Sequence, residues 1–474
     1  MSDPIVTTTE GLVRGRAENS ARVFLDIPYA APPFGAARFT APMPHAPWQG
    51  VRDATRPGPT APQPRRDGFG TLDMSPYFGP GWVPGEDYLT VNVWAPSTAR
   101  NSPVMVFVHG GGFVAGSTRS PLYDGTAFAR DGVVLVTLNY RLGISGFLDL
   151  PGAPADRGLL DVLAALRWVR GNIEAFGGDR GNVTVFGQSA GATIITGILA
   201  HPDARGLFHR AIVQSGNGLG AFTGEQAARV THAAATALGI EPTVPAFARI
   251  PDEQLIAVLP KLTGLDLRTA TDYDPLVGLS PFSLVLEHQP ADTVAAGAGA
   301  EIALLVGTTT EEGNLYLAPQ GNLTTSTDQD VQDIATRVHP DPAALIAHHR
   351  AHRPQATPGH LRSAILGDAL FGIGTRRLVR AHATHAPTYT YEFTWRSTAL
   401  NGELGAAHTV ELPYVFDHLH LPALRGPRGL LGDTEPPATL ATEMHGAWVH
   451  FARTGNPGWT PQETHSFSAV PHPE

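Results

Sequence analysis

The sequence contains no cysteine, which excludes disulfides, thiolate-ligated zinc and a cysteine nucleophile. Lysine is almost absent too: Lys261 is the only one among 33 basic residues. A Schiff-base or Walker lysine would have to be that residue. Charge is sparse, at 16% of residues, and 33 basic against 43 acidic side chains give −10 at pH 7. With no basic run, the chain is not expected to bind nucleic acid. No apolar run approaches the roughly 18 residues of a spanning helix. The opening Met-Ser-Asp-Pro-Ile-Val-Thr lacks the basic start and apolar stretch of a signal peptide. A cytoplasmic protein that does not enter the membrane is expected.

What remains is apolar and rich in turns. Hydrophobic residues make up 42% of 474, enough for a substantial core. The 52 glycines and 42 prolines are spread throughout, with no repeat period and no hinge-like linker. Residues 5–30 alternate short β-prone runs with Gly11, Gly15 and Asn19, which predicts a small N-terminal sheet. From Thr90 onward, apolar runs recur at Thr90–Trp94, Val104–Val108, Val133–Leu138, Val183–Phe186, Ala211–Val213 and Ile302–Val306. Unalternated Val/Ile-rich runs fit strands buried on both faces. Leu159, Leu163, Leu166, Val169, Ile173 and Phe176 recur at helical spacing between two of them. Strands alternating with helices predict a mostly parallel, helix-covered sheet. Later, a strand is expected over Thr388–Thr394 and a helix over Leu440–Thr454.

Two motifs carry chemistry. Gly187-Gln188-Ser189-Ala190-Gly191 follows the run Val183–Phe186 and opens a helix-like stretch. This is the strand–turn–helix setting of a nucleophile elbow, where glycines make room for a tight turn that holds the serine hydroxyl clear of the sheet. A capping serine in a glycine-rich turn is the plainer alternative. His109-Gly110-Gly111-Gly112-Phe113 follows another strand. Consecutive glycines let backbone N–H groups face a site unobstructed. With the N–H after the serine, those of Gly111, Gly112 and Ala190 would form an oxyanion hole. A phosphate cradle is disfavoured, because no Gly-Lys-[Ser/Thr] follows.

With these motifs in place, the chain resembles the type-B carboxylesterase family of α/β hydrolases, which includes the cholinesterases and bacterial para-nitrobenzyl esterases. The resemblance rests on Ile27-Pro28-Tyr29-Ala30, Arg38-Phe39, Glu86-Asp87-Tyr88-Leu89, Asn92-Val93-Trp94 and Asn139-Tyr140-Arg141-Leu142-Gly143. It continues through Phe176-Gly177-Gly178-Asp179 to Gly191 and Gln214-Ser215-Gly216, and is weakest over about 220–300. It implies an α/β-hydrolase fold: a mostly parallel central sheet flanked by helices, a small N-terminal β-sheet and helical insertions above the active site. It also implies Glu312 as catalytic acid, with Glu311 facing solvent, and His408 of Gly405-Ala406-Ala407-His408 as base. Asp368 is the second candidate for the acid. Arg38–Glu86 and Arg141–Asp161 would be ion pairs.

The resemblance implies a serine carboxylesterase acting through an acyl-enzyme on a small-molecule ester, with no cofactor and no metal. Amides, carbamates or lactones could be attacked by the same groups, and a non-catalytic cholinesterase-like interaction protein is the remaining alternative. His348, His349 and His352 share helical spacing but lack a matched carboxylate, so a solvated helix face is the expected role. Tyr88 stands where many members carry a cysteine, and Gln188 where many carry a glutamate, which should weaken any preference for cationic substrates. Gln188, Phe113, Leu219 and Phe371 are the candidates for the substrate pocket, with core packing the competing role. Activity should rise with pH around 6–7, as a histidine base loses its proton. One domain is expected over 1–474. Hairpins and wrapping loops occupy 1–100, the catalytic core 101–217 and 301–320, mainly helical insertions 218–300 and 321–385, and a C-terminal core part with the histidine 386–474.

Overall fold

A computed structural model describes residues 3–18 and 20–468; the turn expected at Asn19 lies outside them. The apolar runs become the interior of one ten-stranded sheet. From one edge to the other its strands are Thr464–Phe467, Thr388–Phe393, Ala303–Thr309, Arg210–Gln214, Gly178–Gln188, Ser102–Val108, Val134–Leu138, Thr90–Pro96, Ala21–Pro28 and Arg16–Glu18. The first seven are parallel neighbours, and the last three add on antiparallel. Every residue of Thr90–Pro96 and Val134–Leu138 is buried, as expected of strands covered on both faces. Ile5–Thr7, Leu12–Arg14 and Val51–Asp53 form the small N-terminal sheet.

Helices cover this sheet because their apolar residues fall on one face. In Arg157–Asn172 the residues Leu159, Val162, Leu163, Leu166 and Val169 are buried, three or four apart as packing requires. Ala190–Leu199 and Ala438–Thr454 pack on the same central strands. The stretch 218–300 carries helices Gly224–Leu238, Val244–Ala248, Asp252–Leu262 and Pro290–Ala295. Five more, between Asn322 and His382, occupy 321–385, with a π-helical turn at Asp368–Gly372 among them.

Three details differ from expectation. Within 5–30, Arg16–Glu18 and Ala21–Pro28 leave the small N-terminal sheet and pair onto the edge of the large one, because Ala21–Pro28 is long and apolar enough to lie beside Thr90–Pro96. The strand before the serine starts at Gly178 rather than Val183, with a register shift between those residues; its polar start, Gly-Asp-Arg-Gly-Asn, hides the extension. Arg38 does not pair with Glu86, which is exposed. It reaches Asp252 at 3.3 Å and the Ile250 carbonyl at 2.7 Å, because the start of helix Asp252–Leu262 packs beside it. Arg141 and Asp161 do pair, through contacts of 2.8 and 2.6 Å, with neither side chain exposed.

Register positions the chemistry. Val108 lies opposite Gly187, Gly187 opposite Val213, and Val213 opposite Val306. Four neighbouring strands therefore end level with one another. The loops after them, carrying His109–Phe113, Ser189, Ser215 and Glu312, emerge along one edge, where open α/β sheets place their ligands.

Candidate active site

The strand Gly178–Gln188 stops and helix Ala190–Leu199 starts with one residue between them, Ser189. Its φ of 57° and ψ of −124° form a conformation that non-glycine residues seldom adopt, the strain expected of a nucleophile elbow. The turn is held from both sides. The Ser189 N–H donates to the Gln214 carbonyl at 2.9 Å, and the Ser189 carbonyl accepts from the Thr193 N–H at 2.9 Å. A Cβ on Gly187 would lie 2.6 Å from the Val108 carbonyl oxygen, and one on Gly191 2.1 Å from it. Only glycine fits either place.

The glycine loop is just as constrained. Gly111, Gly112 and Phe113 have φ of 119°, 64° and 64°, and a Cβ on Gly111 would fall 2.0 Å from the Ala115 carbonyl oxygen. Among the described residues, the N–H groups of Gly111 and Gly112 have no acceptor. The Ala190 N–H is one of the free donors at a helix start. The loop rests on His109, whose ring stacks on Tyr140 at 4.4 Å and whose Nδ1 donates to the Gly110 carbonyl at 2.8 Å. Burial pushes the His109 imidazole down to about 4, so it braces the loop as a neutral ring.

His408 comes from a distant loop that is tied to the loop of Glu312. Glu311 donates its N–H to the Ala406 carbonyl at 3.0 Å, and its carboxylate accepts from the Ala406 N–H at 2.8 Å. Arg396 holds the other oxygen of the same carboxylate. This zipper brings His408 Nδ1 to 2.6 Å from Glu312 Oε2. Glu312 Oε1 accepts from Ser215 Oγ at 2.6 Å and from the Thr309 N–H at 2.8 Å. Both members of the pair are almost fully buried, at 2% and 5% exposed. A carboxylate with three donors stays in place and keeps the proton of a neutral imidazole on Nδ1, which leaves the ring's lone pair on Nε2.

Ser189, Ala190, Gly111, Gly112 and His408 all line one cavity of about 90 Å³. Phe113 and Phe371 line it too, and Phe371 stacks flat on the His408 ring, 4.3 Å between centroids and 12° between planes. Two pocket assignments need correction. Leu219 does not line the cavity: its N–H is held by Asn217 Oδ1 at 2.9 Å, its side chain packs on the core, and Asn217 takes the wall position. Gln188 is fully buried behind the wall, its amide 3.1 Å from His408 Nε2 and 2.8 Å from the Tyr77 hydroxyl. Asp368 pairs with Arg376 at 2.7 Å, whereas the carboxylate on His408 is that of Glu312. His348 and His352 stack at 4.5 Å, and His349 is buried 3.7 Å from Asp368; none of the three lines the cavity of Ser189.

Sequence reasoning missed Ser215, Tyr77 and Glu411. Ser215 sits at φ 50° after a strand, so Ser-Gly was legible as a turn but not as the partner of Glu312. Tyr77 lies in a short Pro-rich stretch without periodicity and orients Gln188. Glu411 is wholly buried, and burial with the nearby Glu312 charge pushes its carboxyl up to about 8. Glu411 is therefore mostly neutral at pH 7.

The chain is similar to known carboxylesterases along its length. A sequence model of the carboxylesterase family matches residues 2–472. The para-nitrobenzyl esterase of Bacillus subtilis (strain 168) is 38% identical over 96% of this chain and 91% of its own length. The phenmedipham hydrolase of Pseudarthrobacter oxydans is 36% identical over 96% and 90%. A carboxylesterase of Geobacillus stearothermophilus superposes with a TM-score of 0.84 at 34% identity, covering 99% of this chain and 97% of that one.

Proposed function

The chain belongs to the carboxylesterase family and is a carboxylic ester hydrolase, and from that premise we propose that it works through a Ser189–His408–Glu312 triad and an acyl-enzyme. Ser189 Oγ attacks the ester carbonyl while His408 Nε2 takes its proton. Glu312 orients the imidazole and stabilises the imidazolium. The N–H groups of Gly111, Gly112 and Ala190 hold the oxyanion, each donor contributing on the order of 10²–10³ in rate. His408 returns the proton to the departing alcohol, then activates a water that releases the acid. Every group in these steps is supplied by the chain itself. The observation that carries this reading is the 2.6 Å contact from Glu312 to a histidine whose ring lines the cavity of Ser189.

The substrate is a small-molecule ester, and the chain acts as one domain over its length. Cysteine-free composition suits a reducing compartment, and the cytoplasm is our assignment. No described helix is long and apolar enough to cross a membrane. The test is turnover of p-nitrophenyl esters of graded acyl length by the wild type and by folded Ser189→Ala. Equal turnover by the variant overturns the mechanism. Cleavage of anilides or carbamates with none of the esters would overturn the preferred linkage while keeping the machinery.

A further inference from the structure

Among the described residues, the cavity that holds Ser189 is lined by one guanidinium, Arg66, and by no Asp or Glu side chain. The Arg66 guanidinium carbon sits 5.7 Å from the ring centroids of both Phe69 and Phe78, which line the same cavity. Two cation–π contacts fix where that charge is without neutralising it. Arg66 has no hydrogen bond and no ion pair with any described residue. The adjacent Asp67 is engaged by Arg65 at 2.6 Å, and Glu312 by His408. Its surroundings desolvate it enough to lower its pKa, yet a guanidinium stays protonated at any working pH. A half-buried cation without a counter-charge is a destabilising feature in search of an anion.

We propose that Arg66 recognises an anionic group of the substrate, so that the preferred substrates are carboxylic esters bearing a second, negatively charged group such as a carboxylate. This deepens the hydrolase reading above and rests on it. The planar fork of arginine matches a carboxylate in two parallel hydrogen bonds. Phe69 and Phe78 supply an apolar wall beside it, where a charge pair is less screened than in open water. Gln188 presents a neutral amide behind the serine, so no carboxylate at that position opposes an incoming anion. Arg66 is thus a specificity-determining residue that takes no part in bond breaking.

The experiment compares anionic and neutral esters of like acyl chain or leaving group on the wild type and on Arg66→Met, which keeps an apolar stem against the two rings. One pair is the mono-p-nitrophenyl ester of adipic acid against p-nitrophenyl hexanoate, with the charge on the acyl side. The other is 4-acetoxybenzoate against phenyl acetate, with the charge on the alcohol side. In at least one pair, the anionic-to-neutral ratio of kcat/KM should fall on the order of 10–100-fold in Arg66→Met, chiefly through KM, the scale of a lost charge-assisted hydrogen bond. An unchanged ratio in both pairs overturns the proposal. The wild type gives a readout that needs no variant. Raising ionic strength should raise KM for the anionic ester of that pair and leave its neutral partner unmoved; parallel behaviour in both pairs overturns the proposal even if Arg66→Met fails to fold. If the wild type cleaves neither member of either pair, it is the hydrolase reading that fails, and this one with it.

Discussion

The side-chain amide of Gln188 lies 3.1 Å from Nε2 of His408 while its carbonyl end meets the Tyr77 hydroxyl at 2.8 Å. With Nδ1 committed to Glu312, a neutral His408 presents a lone pair at Nε2, and the Gln188 N–H donates to it. A neutral amide is thus what faces that ring nitrogen. Gln188→Glu would put a carboxylate there and favour the imidazolium. The acid limb of the kcat/KM–pH profile should move to higher pH by roughly one unit or more. A profile that stays in place would show that Gln188 does not act on His408.

Gly111 and Gly112 separate two consequences of the same substitution. Both have positive φ, but a Cβ at Gly112 meets nothing nearer than the Ser280 Cβ at 3.9 Å, whereas at Gly111 it meets the Ala115 carbonyl at 2.0 Å. Gly112→Ala should cost about 1–3 kcal/mol of backbone strain. Gly111→Ala must displace the loop, lower kcat about 100-fold or more and melt at a lower temperature than Gly112→Ala. Equal melting points for the two variants would contradict the geometry.

Asp161 accepts three donors from Arg141: the backbone N–H at 3.0 Å, Nε at 2.8 Å and an Nη at 2.6 Å. Arg141 in turn donates to the Thr40 carbonyl at 2.7 Å, anchoring the wrapping segment. Asp161→Asn leaves a buried guanidinium uncompensated and should destabilise by about 3–5 kcal/mol in urea unfolding. Glu225→Ala, removing an exposed pair with Arg229, should be nearly silent by the same assay.

Glu411 makes stability depend on pH. Its carboxyl is held at about 8 in the fold, against about 4.3 in an unfolded chain. The native state therefore keeps a proton that the unfolded state releases. Stability from this group is complete below about 4.3 and is lost as pH rises towards about 8. Glu411→Gln holds the neutral shape at every pH. The stability difference between Glu411→Gln and the wild type should therefore grow from pH 5 to pH 8 in thermal melts. A difference that stays constant with pH would mean that Glu411 does not titrate there.

Much of the fold was legible because its strands are buried on both faces. The runs Thr90–Trp94 and Val104–Val108 need no partner to be recognised, since continuous Val-rich segments have one stable setting. The elbow was legible for a related reason, as Gly187 and Gly191 are required by contacts within their own turn and its neighbouring strand. The polar start at Gly178, the Arg38–Asp252 pair and the position of Leu219 were not legible. Each depends on which distant segment packs alongside, and local composition does not encode that.

By itself, the sequence determined which chemistries are excluded, where a serine stands in a strained turn and which glycines leave N–H groups free, because these depend on residue type and short-range sterics. Only the tertiary structure decided that His408, Glu312 and Ser215 meet, that Gln188 faces His408, and that Arg66 stands in the cavity of Ser189 without an ion-pair partner among the described residues. Those side chains come from loops as much as 342 positions apart, Arg66 to His408. Sheet register and loop-to-loop hydrogen bonds bring them together, and only the folded chain forms those.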